Sequence, residues 1–125
     1  MDKELLVGQV ELLINEFTKQ GKHIAFAGLV DAYPQFESTP FILVLACPWM
    51  AHYGNCYAKT EEVVTMMYQH LSSDAIRKIH AIDVFDTVQE AEIYIKNECR
   101  MQDSSCSRQI SVGQLMNEEV ALAHA

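Results

Sequence analysis

Phe41-Ile42-Leu43-Val44-Leu45-Ala46-Cys47-Pro48-Trp49 is an apolar run that stops at a proline and opens into a loop carrying His52 and Cys56. It has no polar face and falls short of the roughly 18 residues a membrane span requires, so it reads as a strand buried on both sides. A strand of this kind demands a sheet covered above and below, and the rest of the chain must supply the cover. The fold class that follows is α/β (or α+β): a small three- to four-stranded mixed sheet with helices packed on it, in the order α-β-β-α-β-α-(α).

Upstream of the run, residues 2–20 place Leu6, Val10, Leu13 and Phe17 at helical spacing, with Ile14 widening the stripe and Glu11, Asn15, Glu16 and Lys19 left for solvent. Asp2 and Glu4 lie at the positive end of the helix dipole, Lys19 lies at the negative end, and Gly21 offers a left-handed stop. Leu5 and Leu12 fall off the stripe and hint at a second covered face. Ile24-Ala25-Phe26-Ala27-Gly28-Leu29-Val30 reads as a first strand, joined by the proline-containing loop 32–40 to the central one in a hairpin. In that loop Tyr33 and Phe36 are aromatics for a partner or for covering the core.

Downstream, Thr60 followed by Glu61 and Glu62 predicts a helix start, with Val63, Met67 and Leu71 on its buried stripe and a break or new cap at Ser72-Ser73-Asp74. Ile79 to Phe85 reads as a third strand. Thr87-Val88-Gln89-Glu90 is a capping box opening a helix that buries Val88, Ala91, Ile95 and Cys99. Residues 102–110 are polar and serine-rich, which predicts a loop before a short C-terminal helix from Ser111. The 125 residues are expected to form a single domain.

A net charge of −8 and a pI near 4.9 weigh against nucleic acid and anionic membranes as partners, since both are held by Lys and Arg on phosphate. The opening residues lack the basic segment and apolar block of a secretory signal, so the expected location is cytoplasmic and the four cysteines are expected as thiols.

The β-α-β unit from Phe41 to Phe85 should have parallel strands and a right-handed crossover. Its carboxyl edge then collects His23, Cys47, Trp49, His52, Cys56, Asp83 and Asp86 around one crevice, the edge at which open α/β sheets hold ligands. These residues, Asp86 excepted, are the candidate ligand-binding set; Asp86 reads more simply as part of the cap beside Thr87. Cys47 and Cys56 are separated by eight intervening residues, there is no Cys-x-x-Cys, and Cys99 and Cys106 belong to another region of the chain, so no metal site and no cofactor are expected. A thiol nucleophile at Cys47 or Cys56, activated by His52 or His23, is the chemical alternative to Cys47 as a small core residue. Asp83 and Asp86 lack the Asp-x-Asp-x-Thr spacing of phosphate-transferring carboxylates, and no catalytic residue is assigned.

Residues 41–96 resemble STAS-type, SpoIIAA-like small α/β modules: an apolar strand, Tyr53-Gly54 in a loop, a helix, then Val84-Phe85-Asp86 and a helix with Glu90-Ala91. The resemblance implies a non-enzymatic switch or docking module. The chain departs from that pattern in having no helix between its first two strands and no matching phosphorylatable serine, so the regulatory site does not carry over. The expected function is a non-enzymatic regulatory or protein-interaction domain, homo-oligomeric because a small sheet with apolar faces leaves edges to cover. The alternative is a small-molecule-binding protein or thiol-dependent enzyme using the Cys47/His52/Cys56 crevice.

Overall fold

The computed structural model describes residues 3–32, 40–97 and 106–110. The element order is α1 (Lys3–Lys19), β1 (Phe26–Asp31), β2 (Phe41–Ala46), a 3-10 turn (Pro48–Met50), α2 (Cys56–His70), α3 (Ser73–Arg77), β3 (Ile79–Phe85), α4 (Val88–Lys96) and β4 (Cys106–Gln109). The strands form one mixed sheet in the order β1-β2-β3-β4: β1 is antiparallel to β2, β2 parallel to β3, and β3 antiparallel to β4. This is the α/β architecture expected from the central run. Among the described residues no helix is long and apolar enough to cross a membrane.

Period-two alternation along β2 sends its side chains into two separate cores. Leu43 and Leu45 join Leu6, Val10, Leu13 and Phe17 of α1, Val63, Met66 and Met67 of α2, and Ile79, Ile82 and Val84 of β3. Val44 and Ala46 point the other way and pack with Phe85, Ala91 and Tyr94 beneath α4. All four β2 residues are completely buried, which is why the run shows no polar face. The α1 stripe is the one its spacing predicts; Leu5 and Leu12 are exposed.

The β2–β3 register slips once. Phe41 pairs with Ile79 and Ile42 with Ala81, leaving His80 as an extra residue on β3. The bulge sets Ile79 and Ile82, three apart, into the same core, which strict alternation would forbid.

Several boundaries differ from expectation. Helix α2 begins at Cys56, with Asn55 as its cap accepting a hydrogen bond from Ala58 N at 2.8 Å, not at Thr60. An asparagine caps as well as a threonine, and nothing in residues 56–59 breaks a helix. Thr60 lies inside the helix, buried, its hydroxyl donating to the carbonyls of Cys56 and Tyr57. The serine cluster re-caps the chain: Ser72 Oγ accepts from Ala75 N and starts α3. The capping box forms, Thr87 Oγ1 accepting from Glu90 N at 3.1 Å. Within the polar segment 102–110, residues 106–109 are not loop but the edge strand β4, because backbone pairing with β3 and alternation of Cys106 and Arg108 toward α2 suffice without apolar residues. Tyr33, Phe36, Cys99 and the helix expected from Ser111 lie outside the described residues.

Candidate functional site

The carboxyl ends of β2 and β3 and the amino ends of α2 and β4 meet at one end of the sheet. The chain crosses this end through Cys47, whose amide donates to Phe85 O at 2.8 Å, and then turns through Pro48–Met50. Not all seven crevice residues meet there as a single group.

Cys47 is completely buried in the larger core. Burial, reinforced by the negative charge of Asp86, pushes its thiol up to about 12, so it stays protonated at neutral pH and offers no thiolate. Trp49 is half-buried, 5.8 Å from the Phe17 ring and 5.9 Å from Tyr53, with the Lys22 ammonium 5.7 Å above it. His52 is exposed and stands edge-on to Tyr53 at 5.3 Å. His23 is exposed on the segment leading into β1. Tyr53 forms one wall of an open hollow of about 550 Å³ along α2, whose lining also includes Gln20, Tyr57, Glu61, Glu62 and Met66. Its two carboxylates are already engaged: Glu62 pairs with Lys22 and Glu61 with Arg108 at 2.6 Å.

Asp83 lies elsewhere. It is buried on the α4 side of the sheet, where the Tyr94 hydroxyl donates to its Oδ2 at 2.5 Å. A carboxyl in that position fastens α4 to the centre of the sheet and does not reach the crevice.

The closest grouping of reactive side chains is one the sequence reading did not assemble. Lys59, in the first turn of α2, pairs with Asp86 at 2.9 Å, and that hydrogen bond raises its pKa, so the ammonium is firmly held. Cys56 and Cys106 both lie within its field and close enough to act on each other. Burial, followed by the contact with Cys56, pushes the Cys106 thiol up to about 12. Cys106 therefore belongs to this end of the sheet, not to a separate region, and Asp86 serves Lys59 while Thr87 does the capping. The available signal was the alternation Cys-x-Arg at 106–108, which aims both side chains at α2 once the segment is recognised as a strand; Arg108 lies 4.8 Å from the Tyr57 ring. Among the described residues, no group of three His, Cys, Asp or Glu side chains is placed to hold a metal ion.

Comparison with protein-family models, with curated proteins and with solved structures finds no match for this chain.

Proposed function

We propose that this chain is a non-enzymatic interaction domain that works as a homodimer, two copies joining edge to edge through β1. The observation that carries the reading is the state of that strand. Among the described residues β1 has a strand neighbour on one side only, yet it is an unbroken six-residue run, Phe26-Ala27-Gly28-Leu29-Val30-Asp31, with its first five residues half-buried. It carries no proline and no lysine, the residues that ordinarily blunt an exposed edge.

Ala32 N donates to Pro40 O, and the antiparallel register continues through Val30–Ile42 and Gly28–Val44. Alternation then turns the backbone groups of Ala27, Leu29 and Asp31 away from β2. A two-fold axis at Gly28 would pair Ala27 with the second copy's Leu29 through these groups and set Phe26 opposite its Val30, an aromatic against a β-branched residue on the same face. Two shallow apolar troughs flank the strand. One, of about 290 Å³, runs along Lys3, Val7, Glu11 and Ile14 of α1; the other, of about 450 Å³, along Phe26, Glu92, Ile93 and Lys96. A two-fold lays like helices antiparallel, so Lys3 would meet Glu11 of the second copy and Glu92 its Lys96. Charges that complement themselves under this symmetry favour a second copy over an unrelated partner. The STAS-like order of residues 41–96 supports a docking role in the same sense.

The test is light scattering under reducing conditions on the wild type, on a Val7→Glu/Ile93→Glu double variant, and on Leu12→Glu, which lies off both troughs. All three positions are exposed, so folding should be preserved. The expected result is a dimer for wild type and Leu12→Glu and a monomer for the double variant. A wild type that is monomeric at every concentration, or a double variant that still dimerises, would overturn the proposal.

A further inference from the structure

We propose that Cys56 and Cys106 form a reversible dithiol–disulfide site, oxidised by hydroperoxides, that ties the start of β4 to the start of α2. The two residues are far apart in the chain, yet each is the first of its element, and the pairing of Cys106 with Val84 together with Arg108 on Glu61 and Tyr57 sets the start of β4 against the start of α2. Both are half-buried, within reach of a small oxidant, whereas Cys47 is sealed in the core. The elements they open are already braced by Arg108 on Glu61 and on Tyr57, so α2 and β4 are held in register for the sulfurs to join. Lys59, locked to Asp86, sets a positive charge beside the pair. Together these make a modification site from two thiols, a fixed cation and a braced backbone, and it is independent of the β1 edge, which lies at the opposite side of the sheet.

The chemistry assigns different parts to the two sulfurs. The Cys56 sulfur attacks the hydroperoxide, the O–O bond breaks, and the departing alkoxide or hydroxide takes up the Cys56 proton, leaving a sulfenic acid on Cys56. The Cys106 sulfur then displaces hydroxide from that sulfenic sulfur; the S–S bond forms, and the hydroxide leaves as water with the Cys106 proton. Overall two thiols lose two protons and two electrons, and the peroxide is reduced to an alcohol, or water, plus water. Burial keeps the Cys106 thiol protonated, so it is not the sulfur that meets the peroxide first. An external dithiol reverses the bond by exchange.

The experiment treats the full chain with hydrogen peroxide, alkylates the remaining thiols and maps non-reduced peptides by mass spectrometry. The expected product is an intrachain Cys56–Cys106 peptide pair lacking two hydrogens. It should be reversed by dithiothreitol, retained in Cys47→Ala and Cys99→Ser, and accompanied by a rise in Tm in wild type. In Cys106→Ser a sulfenic-acid probe such as dimedone should label Cys56; in Cys56→Ser it should not label Cys106. A bridge that uses Cys99, a bridge between chains, over-oxidation of Cys56 while Cys106 remains alkylatable, or no reaction at all would each overturn the proposal. Because the dimer is tested under reducing conditions, either proposal can fail without the other.

Discussion

The two faces of the sheet are built on different principles. Among the described residues three helices cover one face, and its core is an apolar set running from Leu6 to Ile110 that includes Phe17, Leu43, Leu45, Met50 and Met67. The other face has among the described residues a single nine-residue helix, five buried residues, and a carboxyl held by a tyrosine hydroxyl. The larger face depends on volume and the smaller on a specific hydrogen bond. The smaller face also stops short of the β1 edge, where Phe26 and Ile95 remain half-buried and a trough opens beside Ile93. A thinly covered face is thus the natural place for a second molecule to complete the cover.

Substitutions at the two faces should separate these principles. Leu43→Ala, at a fully buried position of the larger core, should destabilise the chain by about 2–5 kcal/mol in urea unfolding, the range for a leucine whose cavity cannot collapse. If the loss were well under 1 kcal/mol, the larger face would not be the main store of stability. Tyr94→Phe, on the smaller face, keeps the ring against Phe85, whose centroid is 5.1 Å away, and removes only the hydroxyl. The buried Asp83 then lacks that donor, and the expected loss is about 1–3 kcal/mol. Asp83→Asn combined with Tyr94→Phe should cost less than the sum of the two singles, because the second change touches an interaction already broken.

The smallest effect should appear only in alkali. The Cys47 thiol ordinarily titrates near 9.0 but in the fold near about 12, so as pH rises the unfolded chain releases its proton first. The unfolded state then binds fewer protons than the native one, and the stability present below about pH 9 is lost progressively as pH climbs toward the folded value. Near pH 10 this amounts to about 1 kcal/mol for one such group. Cys47→Ala should flatten the alkaline limb of the stability curve, and an unchanged limb would show that this side of the core admits hydroxide or water.

Much of this architecture was legible from residue spacing. Leu6, Val10, Leu13 and Phe17 announced α1, and the absence of polar residues from 41 to 47 announced a strand buried on both sides, because each signal is local and repeats with the period of its element. The Thr87–Glu90 box marked α4 for the same reason: both partners of the bond lie within one turn. β4 gave no such signal, since Cys106-Ser107-Arg108-Gln109 is a strand through what it pairs with, not through its own composition. The site followed suit. Cys47 and Trp49 were located by the strand that ends just before them, whereas the approach of Cys106 to the start of α2 and the Lys59–Asp86 pair join segments whose proximity only the finished sheet creates. Asp83 was misplaced to the crevice because a strand position fixes which face a side chain takes only once the register, bulge included, is known.

That bulge makes the chain sensitive to residue number in one place. With His80 present, Ile79 enters the larger core and the strand regains step in time for Ile82 and Val84 to follow it there. Remove that one residue and the two ends of β3 can no longer both be correct: either Ile79 turns toward α4, or Ile82, Asp83, Val84 and Phe85 all exchange faces, burying a carboxyl among leucines. Residue 80 sets the step of the strand by its existence, so at this point in the gene a deleted codon would reach every later face of β3.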